Sequence, residues 1–123
     1  MIPDITKAYG QIQKSAIGGR AAEAEAFAKS ARKLHQAIQG PIDPAALEDA
    51  LQSNQKLWTL VQASMLEEKG RLPEDLRQDI LKLSLHVDKQ TMKARAAPSP
   101  KSVTLLIDIN RNMAGGLFEK PDK

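Results

Sequence analysis

The stretch LIDINRNMAGGL, residues 106–117, carries apolar side chains at helical spacing, yet one amide, Asn110, falls inside its apolar arc. A second amide, Asn54, falls inside the apolar arc of another predicted helix, between Leu51 and Trp58. A buried amide without hydrogen-bond partners costs about 1–3 kcal/mol, so each must find partners. Two arrangements are open. The amides pair inside the protein and fix how the helices pack, or they contact the backbone or a polar side chain of a bound helix.

The composition of the 123 residues is that of one folded domain, with 41% hydrophobic and 27% charged residues. Only 3% are aromatic, which favours helices over strands. The chain has no cysteine, which excludes disulfides, thiolate catalysis and cysteine-based metal sites. The first residues, MIPDITKAYGQ, lack the pattern of a secretory leader, and no apolar run is long enough to span a membrane. We therefore expect a single-domain, soluble, cytoplasmic protein.

Glycine and proline divide the chain into helical segments. Asp43 and Pro44 form a strong start signal, with Asp as the N-cap and Pro at the first helical position. The predicted helices cover about residues 3–14, 20–39, 44–68, 73–96 and 100–114. The expected fold is all-α: a single compact bundle of four main helices plus a short N-terminal helix, with short connections that favour antiparallel neighbours.

The predicted helix at 73–96 carries more apolar surface than one neighbouring helix can cover. One apolar stripe contains Leu76, Ile80, Leu83 and Val87, and a second, on about the opposite side, contains Leu81, Leu85 and Met92. This helix either lies centrally and packs against helices on both sides, or it leaves a groove for an amphipathic partner helix. The second stripe fits the spacing of such anchors, and Met suits an adaptable contact.

The predicted helix at 100–114 also has a broad apolar arc, of roughly 200°, which includes Leu105 and Ile109. It too needs more than one neighbour, within the chain or on a partner. The candidate partner-binding residues are therefore Leu81, Leu85, Met92, Leu105, Ile109 and Asn110.

The formal net charge of +3 comes from the last part of the chain, where Lys82, Lys89 and Lys93 share one side of a predicted helix. Such a row is most often solvated surface, but it is also a candidate contact for an acidic protein or for RNA phosphates. RNA binding normally adds aromatic side chains that stack on bases. Phe27 and Trp58 face the predicted core instead, which weakens the RNA interpretation.

No catalytic or metal-binding pattern is present. The carboxylates lie mostly near helix ends, where the helix dipole favours or tolerates them, and none forms a desolvated acid–base pair. No phosphate-binding loop, nucleophile elbow or zinc-protease motif occurs. We expect a protein that is not an enzyme and needs neither a metal nor a cofactor.

Five phrases in order resemble the FlaF family, small flagellar biosynthesis proteins of alphaproteobacteria. The phrases are AYG (8–10), RAAEAEAFAKSARKL (20–34), NQKLWT (54–59), LPEDLR (72–77) and LIDINRNMAGGL (106–117). The resemblance covers nearly the whole chain.

This resemblance implies a cytoplasmic protein that binds flagellin and supports its synthesis and secretion, as an export chaperone working alongside the regulator FlbT. The alternative is a post-transcriptional regulator of flagellin mRNA, acting on RNA directly or through FlbT, with Lys82, Lys89 and Lys93 as the contact. The spare apolar surface would also suit a homodimer.

Overall fold

The computed structural model describes the backbone of residues 16–66 and 73–118, and the side chains of residues 23–66 and 73–115. This part of the chain forms four helices and no strand: α1 (Ala16–Ala37), α2 (Pro44–Leu66), α3 (Glu74–Ala96) and α4 (Pro100–Phe118). The predicted all-α bundle of four main helices is confirmed. The predicted short helix at residues 3–14 lies outside the described residues.

The four helices form a ring in which each contacts the next and α4 returns to α1. Arg95, at the end of α3, pairs with Glu48, at the start of α2. Gln90, also late in α3, donates a hydrogen bond to the backbone oxygen of Ser102, at the start of α4. Consecutive helices are therefore antiparallel, and α1 lies diagonally opposite α3, as α2 does to α4.

The start of α2 follows the sequence prediction. The backbone N–H of Ala45 donates to Asp43 Oδ1 at 3.2 Å, and the N–H of Leu47 donates to the Asp43 backbone oxygen at 3.0 Å. Asp43 is thus the N-cap, and Pro44 occupies the first helical position, where its missing N–H costs nothing.

The start of α4 has a cap that the sequence reading did not identify. The N–H of Ser102 donates to Ser99 Oγ at 3.1 Å, and the N–H of Ser99 donates to Ser102 Oγ at 3.2 Å. This is a reciprocal capping box in which Ser takes the place of the usual Glu or Gln. The sequence feature that could have predicted this cap is the pair Ser99 and Ser102, three positions apart, with Pro100 between them.

Two predicted helix ends were wrong, both at glycine pairs. Helix α1 begins at Ala16 and runs through Gly18-Gly19, and α4 continues through Gly115-Gly116 to Phe118. A glycine inside a helix costs only about 1 kcal/mol relative to alanine, which packing along the rest of a long helix offsets. Gly40 does mark an ending, because its φ of 65° lies in the left-handed region between α1 and α2.

The core centres on an aromatic pair. Phe27 of α1 and Trp58 of α2 are both fully buried, with ring centroids 5.5 Å apart and planes at 61°, an edge-to-face contact. Aliphatic side chains fill the remaining interior, chiefly Leu34, Leu47, Leu51, Val61, Met65, Val87, Val103, Leu106 and Ile107. The spacing of the sequence predicts one inward stripe on each of these two helices, and both are confirmed: Ala24, Phe27, Ala28, Ala31, Leu34 and Ile38 on α1, and Leu47, Ala50, Leu51, Leu57, Trp58, Val61 and Met65 on α2.

Helix α3 turns a small and largely polar face to this core: Ser84, Val87, Gln90, Thr91 and Ala94. The hydroxyls of Ser84 and Thr91 donate to backbone oxygens of α3 itself, those of Leu81 and Val87, at 2.7 Å. These buried polar groups therefore need no partner across the core.

The apolar stripe of Leu76, Ile80, Leu83 and Val87 lies on the inward side of α3, except at the first turn of the helix. Val87 is buried, and Ile80 and Leu83 are partly buried, but Leu76 is 43% exposed. Polar contacts hold one edge of α3 against α2. Among them, the guanidinium of Arg77 donates to the Met65 backbone oxygen at 2.8 Å.

Two further contacts hold the same edge of α3 against α2. Arg95 donates to both carboxylate oxygens of Glu48, each at 2.9 Å, and to the amide oxygen of Gln55 at 3.1 Å. Gln62 donates to Asp88 at 3.0 Å. A two-point guanidinium–carboxylate contact fixes geometry more firmly than a single bond does.

The Arg95 contact generates a prediction about Glu48. Hydrogen bonds from Arg95 lower the pKa of the Glu48 carboxyl below its ordinary value, outweighing the opposing effect of desolvation. Because the folded-state pKa is lowered, the stabilisation is present at neutral pH and is lost as the pH falls through the folded-state pKa. We expect the Glu48 midpoint in an NMR titration to rise in Arg95→Gln.

Arg111→Gln, a change at an exposed arginine of α4, is the control and should leave the Glu48 midpoint unchanged. Equal midpoints for Glu48 in wild type and Arg95→Gln would contradict this account.

Candidate functional site

Apolar side chains lie on the outer side of α3. Leu85 and Met92 are 62% and 65% exposed, and Leu81, one turn before Leu85, is partly buried against the core. The three lie within about 40° of one another around the helix. We call Leu81, Leu85 and Met92 the α3 stripe. The structure brings these three predicted residues together and leaves two of them open to solvent.

The distribution of polar and apolar side chains on α3 is the opposite of the one that stability alone would favour. Helix α3 buries Ser84, Gln90 and Thr91 while it exposes Leu85 and Met92. Burying one large apolar side chain is worth about 1.5–3 kcal/mol relative to leaving it exposed. Large apolar side chains that stay exposed next to one another, as Leu85 and Met92 do, are typical of an interaction surface.

A leucine of α2 extends this surface. Leu66 is 69% exposed at the end of α2 and lies one turn beyond Gln62, which hydrogen-bonds Asp88 of α3. The contact between Arg77 and the Met65 backbone oxygen places the end of α2 beside the start of α3. The sequence analysis did not identify Leu66 as part of this surface. Its position outside the inward arc of α2 was the feature that could have indicated it.

Three lysines border the α3 stripe. Lys82, Lys89 and Lys93 are exposed and lie about 80° around α3 from the stripe. Within residues 23–66 and 73–115, none of them forms an ion pair. We call them the lysine row. Their charge is therefore not neutralised by this part of the protein.

Leu105 and Ile109 lie elsewhere. Leu105 is 42% exposed and Ile109 is partly buried. Ile109 falls two turns after Ser102 on the edge of α4 that faces α3. The α3 stripe borders α2 instead, on the other side of α3. The structure does not bring these two residues together with the α3 stripe.

Asn110 lies in the interior, fully buried. The indole N–H of Trp58 donates to Asn110 Oδ1 at 2.9 Å, and Asn110 Nδ2 donates to Asn54 Oδ1 at 2.7 Å. Ser30 Oγ donates to the same Asn54 oxygen at 2.9 Å. We call Ser30, Asn54, Trp58 and Asn110 the amide cluster. The placement of Asn110 in the partner-binding surface is corrected, because both ends of its amide are used inside the bundle.

The orientation of each amide follows from Trp58. An indole N–H only donates, so the oxygen of Asn110 must face it, and the Asn110 nitrogen must then donate to the oxygen of Asn54. The nitrogen of Asn54 is left buried and, within the described part of the chain, has no hydrogen-bond partner. The amide cluster links α1, α2 and α4 in one fixed arrangement.

Comparison with known proteins places the chain in a family. The model described as "Flagellar protein FlaF" matches residues 5–117, nearly the whole chain. The chain belongs to the FlaF family. No curated protein and no solved structure matches it.

The phrases that carry the resemblance to FlaF supply the amide cluster. Ser30 comes from the alanine-rich phrase at 20–34, Asn54 and Trp58 from NQKLWT, and Asn110 from LIDINRNMAGGL. The FlaF resemblance thus rests in large part on residues that fix the fold of the bundle.

The described residues of this FlaF chain form neither a membrane-spanning helix nor a metal site. No helix there is both long and apolar enough to cross a bilayer. No group of three His, Cys, Asp or Glu residues there is arranged to hold a metal ion.

The amide cluster generates a stability prediction. Asn110→Leu removes the acceptor of the buried Trp58 N–H, so we expect it to lower the free energy of unfolding by about 1–3 kcal/mol in urea denaturation. Asn112→Leu, at an exposed position of the same helix, should change it by no more than about 0.5 kcal/mol.

A double-mutant cycle isolates the hydrogen bond. In a Trp58→Phe background, where no indole N–H needs an acceptor, Asn110→Leu should cost at least about 0.5 kcal/mol less than in wild type. An equal cost in both backgrounds would show that the Trp58–Asn110 bond contributes no coupling.

Proposed function

We propose that this FlaF-family protein binds flagellin in the cytoplasm through the α3 stripe and supports its synthesis and secretion. The observation that supports this proposal is the exposure of Leu85 and Met92 on a helix that buries serine, threonine and glutamine. The proposed activity is binding alone, without catalysis.

The spacing of the α3 stripe suits an amphipathic helix as ligand. Leu81 and Leu85 are four residues apart, and Leu85 and Met92 are seven apart, which are the offsets at which helix-in-groove contacts recur. Flagellin's terminal segments are amphipathic and aggregate unless they are covered. A protein that covers one of them would keep flagellin in a form that can be secreted.

The rest of the bundle supports such binding by holding α3 in place. The contacts of Arg95 with Glu48 and of Gln90 with the Ser102 backbone fix α3 to both of its neighbours. A surface that is formed before binding loses little conformational freedom when the ligand docks.

A second candidate function is regulation of flagellin mRNA, by contact with RNA or with FlbT. The exposed lysine row favours it, because lysines without ion pairs attract phosphates. Phe27 and Trp58 weaken it, since both are fully buried and cannot stack on bases. RNA binding through the lysine row would fall steeply as salt is added and would not depend on Leu85.

Titration calorimetry with monomeric flagellin tests the first proposal. We expect one-to-one binding with a negative heat-capacity change, the mark of apolar burial. Leu85→Asp and Met92→Asp should each weaken binding at least about 10-fold, because each places a charge where an apolar contact forms. Circular dichroism and the melting temperature should stay near wild type, since both side chains are exposed.

Leu60→Asp is the matched control. Leu60 is 43% exposed on α2, seven residues after Ser53, whose contact with Lys33 places this edge of α2 against α1 rather than α3. It should leave flagellin binding unchanged. Equal losses at Leu60 and Leu85, or no binding by wild type at any salt, would contradict the proposal.

A further inference from the structure

We propose that the segment recognised by the α3 stripe is an amphipathic helix that carries a row of Asp or Glu side chains along one edge, set against Lys82, Lys89 and Lys93. This inference rests on the proposed function of the α3 stripe and names the chemistry of its ligand.

The apolar and basic features run side by side along the same helix. The α3 stripe extends from Leu81 to Met92 and the lysine row from Lys82 to Lys93, so both cover about 16 Å of α3. A helix lying along the stripe for three turns therefore passes the whole lysine row. Its residues next to the apolar anchors would face the three ammonium groups.

The opposite border of the stripe, as far as the described residues form it, carries no unpaired cation. There Asp88 accepts a hydrogen bond from Gln62, and Arg95 pairs with Glu48. Those charged groups are already partnered within the bundle. The lysine edge of the surface therefore favours acidic side chains on the ligand, whereas the α2 edge, where Asp88 has only an uncharged partner, does not.

A second copy of this chain that docks antiparallel suits the surface poorly. In an antiparallel two-fold contact through α3, the same edge of each helix faces itself, so Lys82, Lys89 and Lys93 would oppose their own copies. Like charges held together at an interface are unfavourable. An acidic edge on a different helix has no such repulsion.

Two synthetic helical peptides test the inference. Both peptides have the same apolar stripe, with anchors at i, i+4 and i+11. They differ only in the side chains along one edge of that stripe, which are Glu in the acidic-edge peptide and Lys in the basic-edge peptide. Fluorescence anisotropy at low salt measures both dissociation constants. Wild type should bind the acidic-edge peptide at least about 10-fold more tightly than the basic-edge peptide.

Charge reversal of the lysine row should exchange the preference. The variant K82E/K89E/K93E should prefer the basic-edge peptide, and Leu85→Asp should lose both peptides. A matched variant, K29E/K56E/K101E, reverses three exposed lysines on α1, α2 and α4 and has the same net charge. It should keep the wild-type preference. Circular dichroism of each variant verifies that the bundle is folded.

Several results would overturn the inference. Equal affinity of wild type for the two peptides, no binding of either, or the same loss in the matched variant would each show that the lysine row does not select the ligand. If wild type binds RNA, K82E/K89E/K93E does not, and wild type shows no preference between the two peptides, the lysine row would be a contact for RNA phosphates instead.

Flagellin calorimetry separates this inference from the proposed function. If flagellin binding depends on Leu85 but is unchanged in K82E/K89E/K93E, the inference fails and the proposed function stands. If wild type prefers the acidic-edge peptide but does not bind flagellin, the proposed function fails and the surface serves another acidic-edged helix.

Discussion

The hydrogen bond from the Trp58 indole to Asn110 is the interaction on which the rest of the structure depends. Because an indole N–H only donates, it fixes the orientation of the Asn110 amide and, through it, that of Asn54. The bonds are buried, where a misplaced donor or acceptor would cost about 1–3 kcal/mol. One arrangement of α1, α2 and α4 is therefore favoured over alternatives with the same apolar contacts, a role that buried amides also play in coiled coils.

Helix α3 takes no part in the amide cluster, and this explains its unusual surface. Its inward face is small and polar, and contacts along its edges, such as Gln62 with Asp88 and Arg95 with Glu48, hold it to the bundle. Val87 is buried, and Ile80, Leu81 and Leu83 are partly buried against the core, so Leu85 and Met92 are the large apolar side chains in the later turns of α3 that stay outside it. Leu85 and Met92 are exposed while the opposite side of α3 packs into the bundle, so the proposed recognition surface and the packed side lie on different sides of the same helix.

The periodicity of the sequence was sufficient to predict the all-α bundle and the inward faces of α1 and α2, because each of those helices has one apolar stripe. It was not sufficient for α3, whose two stripes lie on about opposite sides. The structure places the stripe with Ile80, Leu83 and Val87 inward, while Leu76, in the first turn, is 43% exposed. The role of Asn110 was open for a similar reason: a helical wheel shows an amide among apolar residues, but its partner Trp58 is 52 residues away in the chain. Leu66 was missed because its exposure depends on how α2 lies against α3.

An exposed apolar stripe carries a hazard, since identical copies of a protein tend to associate through such patches. The lysine row offers a physical answer. Three positive charges beside the α3 stripe repel a second copy that approaches antiparallel through the same face, yet attract a helix with an acidic edge. In the proposed interaction the three charges that repel a second copy would also select the ligand. Within residues 23–66 and 73–115 these lysines have no ion pair, and the proposal requires the α3 stripe and the lysine row to act as one surface.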